Sequence, residues 1–326
     1  MGKRREDTRV VLVTGASTGI GLALARVLLS TSFRLVLTAR AESLQRFVSA
    51  GIQENERIRI RPLDLTQPLE ADLLIEEIDR DWGGVDILVN NAGICYRAVV
   101  EHLSGADEQH QLTVNFMGPM HLIRLVLPSM RARRRGHIIN LSSVGGMMAM
   151  PTMGAYSASK FALEGVSEAL WYEMRPWGVH VTLIEPGFVH SSSFENALFT
   201  QRSRAAFEDP SQDYHPYYTN MIDMITKLMY GSPTTPEDIA RRILRLMRRR
   251  NPPLRVAATL DAHLFALLRR LLPSRLYHWI LLLGLPKRRR WVAKLPNAAP
   301  SQDESVPNPR SDPAQSEPAK PDEEPG

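Results

Sequence analysis

Near the start of the chain, a short apolar and β-branched run, Val10–Val13, passes directly into the glycine-rich turn Thr14–Gly21. From Leu22 to Leu29 the apolar residues recur at helical spacing. A strand that enters a helix through a tight glycine turn is typical of βαβ units, which build parallel sheets. This junction therefore predicts an α/β fold.

The alternation of strands and helices continues to about residue 250. Further strands are predicted at 33–37, 58–60, 85–89, 137–141 and 179–184, and helices at 69–78, 107–130, 156–174 and 236–250. Residues 9–250 are therefore expected to form a single Rossmann-type domain, a doubly wound parallel sheet with helices on both faces. An N-terminal tail, residues 1–8, precedes this domain.

The chain after residue 250 differs in composition from the predicted domain. Residues 251–295 are basic and amphipathic, and residues 296–326 form an acidic, proline-rich tail that is predicted to be disordered. Within 263–290, a helical stripe of leucines and Trp279 are flanked by arginines, which suits a helix lying on anionic lipid. A helix packed on its own domain, as a substrate lid, or on a second subunit is an equal alternative. No run of eighteen apolar residues occurs, so a membrane-spanning helix is not expected.

Several classes of protein are disfavoured by composition. The single cysteine, Cys95, excludes an intrachain disulfide and a cysteine metal cluster, and the histidines lack metal-ligand spacing, so no metal is expected. The arginine clusters lack interleaved aromatic residues, which argues against nucleic-acid binding. The charged N-terminus has no apolar signal region, so the chain is predicted to be cytoplasmic, either free or peripheral on a membrane surface.

The glycine turn predicts a phosphate-binding site. Gly15, Gly19 and Gly21 let the backbone turn tightly and approach a pyrophosphate without an intervening side chain. The following helix directs its N-terminal amides, with their partial positive charge, at the phosphates. A merely tight turn is the alternative, because a glycine-rich turn on its own is weak support for a dinucleotide site.

Five further motifs follow this turn in order along the chain, namely Asn90–Gly93, Asn115, Ser143, Tyr156 with Lys160, and Pro186–Gly187. With the turn, they resemble the short-chain dehydrogenase/reductase family over about residues 9–250, and most closely its retinol and hydroxysteroid dehydrogenase branch. The resemblance implies an oxidoreductase that transfers a hydride between a nicotinamide cofactor and a CH–OH group. It also implies a homodimer or homotetramer.

The resemblance assigns residues to the cofactor. Asp64 is expected to accept a hydrogen bond from the adenine amino group, Ser191 to contact the carboxamide, and Asn90 to stabilise the central sheet. The residues implied to contact the dinucleotide are Gly15, Ser17, Thr18, Gly19, Ile20, Gly21, Arg40, Asp64, Asn91, Ala92, Gly93, Tyr156, Lys160, Pro186, Gly187, Val189 and Ser191.

The choice between NAD(H) and NADP(H) depends on the end of the second predicted strand. NAD-selective sites place a carboxylate there to bind the ribose 2′-hydroxyl. This strand instead ends at Ala39 and is followed by Arg40, whose guanidinium matches the geometry of a 2′-phosphate. Thr18 departs from the pattern, because many NADP-using relatives carry a second basic residue there. NADP(H) is therefore predicted over NAD(H).

Tyr156 and Lys160 are four residues apart and are predicted to share one face of a helix. A phenol with a pKa of about 10 is a poor base at neutral pH, and a neighbouring ammonium together with oxidised nicotinamide is expected to lower that pKa. Tyr156 is therefore predicted as the general acid/base and Ser143 as the donor to the substrate oxygen. The resemblance implies that Asn115 holds a water linking Lys160 to solvent.

The substrate is predicted to be lipophilic, such as a steroid, a retinoid or a long-chain lipid. Met148 and Met153 belong to a methionine-rich loop between Ser143 and Tyr156, and flexible methionines suit irregular apolar ligands. Phe188 and the segment 194–230, with Tyr214, Tyr217 and Tyr218, are expected to form the lid. Methionines that only pack the core are the alternative for the loop. A catalytically idle NADP(H)- or lipid-binding scaffold is the alternative for the whole chain.

Overall fold

The structure, a computed structural model, describes residues 8–191, 196–288 and 291. The parallel strands of this part of the chain form one seven-stranded sheet in the order β3-β2-β1-β4-β5-β6-β7. They are β1 (Val10–Val13), β2 (Arg34–Ala39), β3 (Ile58–Pro62), β4 (Ile87–Asn90), β5 (Gly136–Leu141), β6 (Val179–Glu185) and β7 (Arg255–Ala257). The predicted Rossmann-type fold is confirmed. The predicted tail 296–326, most of the tail 1–8 and Phe194 lie outside the described residues.

Helices cover both faces of the sheet. Those that the structure describes are α1 (Gly19–Leu29), α2 (Gln45–Ser49), α3 (Pro68–Trp82), α4 (Gly105–Leu112), α5 (Gly118–Ala132), α6 (Gly154–Met174), α7 (Gln201–Glu208), α8 (His215–Tyr230), α9 (Pro236–Met247), α10 (Leu260–Leu271) and α11 (Ser274–Gly284). Buried side chains of α1, α2 and α9 pack on one face of the sheet. Those of α3, α5 and α6 pack on the other.

Alternation along β1 shows how one strand supplies both cores. Val11 and Val13 contact the α1 and α9 side, whereas Val10 and Leu12 contact the α3 and α5 side. Successive side chains of a strand point to opposite faces, so a strand that is buried on both faces must be apolar throughout. This explains the uninterrupted apolar run that opens the chain.

The strand order reverses between β1 and β4, which are neighbours in the centre of the sheet. In open α/β sheets ligands bind beyond the carboxyl ends of the strands at such a reversal. The predicted motifs follow the carboxyl ends of four adjacent strands, with the glycine turn after β1, Asn91–Gly93 after β4, Ser143 after β5 and Pro186 after β6.

The structure differs from the predicted elements at two points. The single helix predicted at 107–130 is interrupted by a π-helical turn, Thr113–Met117, between α4 and α5, because the amide of Asn115 bonds the backbone of Ile94. The predicted domain boundary at residue 250 precedes β7, which pairs with β6 and completes the sheet. The strand has three residues and follows two prolines, so its sequence pattern is weak.

The segment after β7 forms two helices, α10 and α11. Ala262, Phe265 and Ala266 of α10 pack against Val144 and Met147 of the domain. The opposite face of α10 and most of α11 expose large apolar side chains, namely Leu260, Leu264, Leu267, Leu271, Leu276, Trp279, Ile280, Leu282 and Leu283. Among the described residues, no helix has both the length and the apolar character needed to cross a membrane.

Candidate active site

One cavity of about 810 Å³ runs along the carboxyl edge of the sheet. Nearly all of the predicted site residues line it: Gly15, Ser17, Thr18, Gly19, Ile20, Arg40, Asp64, Asn91, Ala92, Gly93, Ser143, Met148, Met153, Tyr156, Lys160, Pro186, Gly187, Phe188, Val189 and Ser191. Two predicted residues, Gly21 and Asn115, do not line it. Both contact residues that form or adjoin its wall.

The ammonium of Lys160 is held by the sheet. Its Nζ donates a hydrogen bond to the carbonyl oxygen of Leu141 over 2.7 Å and lies 5.8 Å from the centre of the Tyr156 ring. Burial disfavours the charged amine and lowers the pKa of Lys160 to about 8. The last residue of β5 thus anchors the cation beside the phenol on α6.

The phenol of Tyr156 is in an environment that favours its neutral form. Burial raises its pKa to about 12, and the nearby Cys95 acts in the same direction. A hydrogen bond with Ser143 and the charge of Arg97 act against burial but are weaker. The lowered pKa expected from Lys160 together with oxidised nicotinamide is therefore not found in the protein alone, where the Tyr156 hydroxyl is protonated at neutral pH.

Asn115 reaches its position because the π-helical turn directs its amide towards the loop after β4. Its Nδ2 donates to the carbonyl oxygen of Ile94 and to Ser159 Oγ, both over 3.0 Å, and its Oδ1 accepts from the amide of Ile94 over 2.9 Å. Ser159 precedes Lys160 on α6. Asn115 therefore joins the loop after β4 to α6. A Cβ on Gly93 would lie 3.2 Å from Asn115 Oδ1, which explains the glycine there.

The loop that carries Ser143 is supported by a carboxylate that the motif analysis did not identify. Ser143 Oγ accepts a hydrogen bond from the amide of Gly145 over 3.0 Å, and the neighbouring Ser142 donates its hydroxyl to Oε1 of Glu164 over 2.5 Å. Glu164 lies on α6 one helical turn after Lys160 and is 5% exposed. A Cβ on Gly146 would collide with the same carboxylate.

The glycine turn is held by the segment after β4. Gly15 and Gly19 adopt positive φ angles of 61° and 52°, which favour glycine. Asn91 Nδ2 donates to the carbonyl oxygens of Thr14 and Gly15, each over 2.9 Å. Gly21 has a packing role, because a Cβ there would collide with the oxygen of Gly15 and the amide of Asn91.

These features fit a dinucleotide. A Cβ on Gly19 would meet nothing within 4 Å, so the backbone is open to the cavity at that point. The hydroxyl of Thr18 makes no capping hydrogen bond to the first turn of α1, which leaves those amides available to a phosphate. Gly15 and Gly19, together with the N-terminus of α1, are therefore the residues that would hold a pyrophosphate.

The end of the cavity beside β2 is basic. Arg40 and Arg46 both line it, and Arg40 forms an exposed ion pair with Glu42 over 3.0 Å. Asp64 lines the same end, and its Oδ1 accepts from the amide and hydroxyl of Thr66, each over 2.8 Å. Arg46 was not identified from sequence, although it stands two turns after Arg40 at the start of α2. Arg46 supplies a second cation at this end of the cavity, whereas position 18, where a second basic residue was expected, is a threonine.

The loop after β6 is fixed by the first turn of α10. The amide of Gly187 donates to Thr259 Oγ1 and the amide of Phe188 donates to Asp261 Oδ2, each over 2.9 Å. A Cβ on Gly187 would collide with the Asp261 carboxylate. The segment beyond the predicted domain therefore positions one wall of the cavity, and sequence analysis did not identify either residue.

The substrate end is largely apolar. Met148, Met150 and Met153 line the cavity, whereas Met147 packs against α10. The methionine-rich loop therefore forms part of the cavity wall and also contributes to the core. Of the residues predicted to form the lid, Phe188 lines the cavity, but Tyr214, Tyr217 and Tyr218 do not. Tyr218 is buried and bonds Val99 and His102, Tyr214 donates to Glu101, and Tyr217 packs against Trp291. The same segment contributes Asn196, Ala197, Leu198, Ile225 and Met229 to the cavity instead.

Comparisons with known proteins agree with this geometry. The sequence profile of the short chain dehydrogenase family matches residues 9–202. The chain is 31% identical to a 3-ketodihydrosphingosine reductase of Bacteroides thetaiotaomicron over 274 residues, which cover 84% of this chain and 96% of that protein. It is 34% identical to retinol dehydrogenase 8 of Bos taurus over 253 residues, which cover 76% and 80% of the two chains.

Solved structures show the same likeness. A short-chain dehydrogenase from Streptomyces avermitilis superposes with a TM-score of 0.70 at 31% identity and covers 85% of this chain and 98% of its own. A metagenomic short-chain oxidoreductase solved in complex with NADP superposes with a TM-score of 0.57 at 28% identity, covering 76% and 96%. The chain therefore belongs to the short-chain dehydrogenase family of nicotinamide-dependent oxidoreductases.

Proposed function

We propose that this protein interconverts a lipophilic alcohol and its ketone or aldehyde with NADP(H). The observation that carries the proposal is that Ser143, Tyr156 and Lys160 line the same cavity as the glycine turn. A single bound dinucleotide thus reaches from the phosphate cradle to the catalytic side chains. The two named relatives act on a ketosphingoid and on retinol, and the apolar methionine wall supports a lipophilic substrate here as well.

The chain's own residues supply the proton chemistry. A bound nicotinamide would supply or accept the hydride at the substrate carbon. In the reducing direction Tyr156 donates its hydroxyl proton to the carbonyl oxygen, and Ser143 donates a hydrogen bond to the same oxygen. The charge of Arg97 favours the phenolate that results. Lys160, held by Leu141, positions the nicotinamide ribose and adds its own positive charge beside the phenol.

NADP(H) is supported over NAD(H) by the charge at the β2 end of the cavity. Arg40 and Arg46 both line that end, and two guanidinium groups match the oxygens of a 2′-phosphate. The acidic residue beside them, Glu42, is paired with Arg40 over 3.0 Å. Glu42 therefore lowers the positive charge at this end of the cavity. Because it is paired with Arg40, it does not offer the free carboxylate that NAD-selective sites use to bind the ribose.

We also propose that α10 and α11 lie on an anionic lipid surface. Apolar side chains on both helices are exposed, including Trp279, and Arg269, Arg270, Arg275 and Lys287 are exposed beside them. This combination of an apolar face and flanking cations is typical of interfacial helices. The surface would bring a lipophilic substrate close to the loop that Thr259 and Asp261 hold against the cavity.

The experiment that tests the reaction is a screen of lipophilic ketones and aldehydes with NADPH and with NADH, followed by cofactor absorbance. We expect Tyr156→Phe to reduce kcat at least about 100-fold, the usual contribution of a positioned general acid. Tyr172→Phe is the matched control, because Tyr172 lies on the same helix and is exposed. Retained turnover in Tyr156→Phe would overturn the proposal.

A further inference from the structure

Arg97 is a buried cation whose side chain has no hydrogen-bond or ion-pair partner among the described residues. Arg97 is only 7% exposed. Its Nη1 is inaccessible to solvent and has no hydrogen-bond partner. Within the part of the chain that the structure describes, no carboxylate forms an ion pair with it. Its backbone is fixed, because the amide donates to the carbonyl oxygen of Leu198 over 2.7 Å. Burying a guanidinium without a partner is costly, so its conformation points to a ligand that completes it.

Arg97 stands where two cavities meet. It lines the main cavity together with Tyr156, and it also lines a smaller cavity of about 190 Å³. The rest of that smaller cavity is mostly apolar, formed by Phe199, Phe207, Ile222 and Ile225 with two smaller side chains. Arg97 therefore lies between the reacting phenol and a space suited to a hydrocarbon group.

The charged residues that line the main cavity around Tyr156 favour a ligand of negative charge. Lys160 and Arg97 both line the main cavity, and Asp64 is its only acidic lining residue among those that the structure describes. Asp64 lies at the opposite end, beside β2. A cationic substrate would meet two positive charges and no carboxylate. An anionic group, in contrast, would satisfy the guanidinium with charge-assisted hydrogen bonds.

We propose that Arg97 binds an oxyanion of the substrate, so that the substrate is an anionic amphiphile. Its carbonyl or alcohol lies at Tyr156, its carboxylate or phosphate at Arg97, and its apolar part in the smaller cavity. This inference deepens the proposed function and depends on it for the position of the reacting carbon. It adds a substrate class, because a neutral lipid would leave the guanidinium unpaired.

The test is a binding measurement that needs no turnover. Decanoate, decyl phosphate and decanol have the same chain and differ in the head group. Their affinities for the protein saturated with NADPH are measured by calorimetry below their micelle concentrations. We expect decanoate or decyl phosphate to bind at least about tenfold more tightly than decanol, the gain typical of a charged hydrogen bond. Which of the two anions binds more tightly identifies the oxyanion.

Variants then assign the preference to one side chain. Arg97→Met should abolish the preference for the anion, and Arg97→Lys should keep part of it. Arg202→Met is the matched control, because Arg202 is an exposed arginine on α7 and its loss changes the net charge equally. We expect that control to bind all three amphiphiles as the wild type does.

Two outcomes overturn the inference: equal affinity of the wild type for the three amphiphiles, or an unchanged anion preference in Arg97→Met. Because the first comparison uses the wild type alone, it remains decisive even if Arg97→Met does not fold. Turnover of the neutral ketone decan-2-one with NADPH reports the oxidoreductase activity separately. An enzyme that reduces this ketone but shows no anion preference refutes the role of Arg97 and leaves the proposed reaction standing.

Discussion

Arg255 Nη1 lies 2.7 Å from Oε2 of Glu164, the carboxylate that accepts a hydrogen bond from Ser142 beside Ser143. The same nitrogen lies 2.7 Å from Oε1 of Glu185 at the end of β6. Both carboxylates are buried, and burial together with the charge of Glu164 raises the pKa of Glu185. A residue of β7 therefore holds two buried acids, one on α6 and the other at the end of β6.

Replacing this arginine should be costly. Arg255→Met leaves Glu164 and Glu185 without their cation, and breaking a buried ion pair typically costs about 3–5 kcal/mol. We expect about 2–3 kcal/mol, because the Arg255 side chain is 40% exposed and water compensates in part. Urea unfolding at neutral pH measures the change. Glu168→Gln, which removes an exposed acid 3.2 Å from the same guanidinium, should cost less than about 1 kcal/mol. Equal effects of the two variants would contradict this assignment.

The cofactor proposal predicts a change of selectivity. Arg40→Asp should shift the ratio of kcat/KM for NADPH and NADH by at least about tenfold towards NADH, since a charged hydrogen bond to the 2′-phosphate is lost. Arg46→Gln should shift it in the same direction if both guanidinium groups contact the phosphate. Arg80→Asp on α3 is the control, because it makes the same charge change on an exposed surface outside the cavity. Unchanged selectivity in Arg40→Asp would refute the assignment.

His137 should make the protein less stable in acid. Burial, followed by the charges of His180 and Arg9, lowers the pKa of His137 to about 3. Its Nε2 donates to Thr182 Oγ1 over 2.9 Å, because that hydroxyl gives its own proton to Pro253. The unfolded chain binds a proton below about pH 6.5 and the native state does not, so stability falls as the pH drops from about 6.5 towards 3.

Unfolding by urea at two pH values measures this effect. Between pH 7.5 and pH 5 the wild type should lose about 2 kcal/mol more than His137→Gln, which keeps a donor at the same position but does not titrate. The comparison uses the difference between the two pH values, so the constant cost of the substitution cancels. A wild type and a variant with the same pH dependence would show that the pKa of His137 is the same in the native and unfolded states.

The lipid-surface proposal is tested with vesicles. Leu264→Glu combined with Leu271→Glu should weaken binding to vesicles that contain phosphatidylserine by more than about tenfold, because two exposed leucines no longer enter the bilayer interface. Leu69→Glu combined with Leu73→Glu is the control, since these exposed leucines lie on α3. Binding to phosphatidylcholine alone should be weaker and less dependent on salt. Wild-type protein that does not sediment with either vesicle would refute the proposal.

Local patterns in the sequence were sufficient for much of the fold and of the cofactor site. The apolar run before the glycine turn, and the polar motifs that follow four adjacent strands, place their residues through backbone geometry alone. The parts that were missed depend on contacts between distant segments. Glu164 and Arg255 are 91 residues apart, and no local pattern indicates that they meet. The isolation of Arg97 could not be predicted either, because an unpaired cation is recognised only when all of its neighbours are known.

The late position of Arg255 has a consequence for synthesis on the ribosome. Glu164 precedes it by 91 residues and Glu185 by 70, so both acids leave the exit tunnel long before their cation. The nascent chain therefore cannot bury these two carboxylates as ion pairs with Arg255 until β7 has emerged. We expect a chain that stops at residue 250 to be cleaved by protease around α6, whereas one that continues to residue 291 resists.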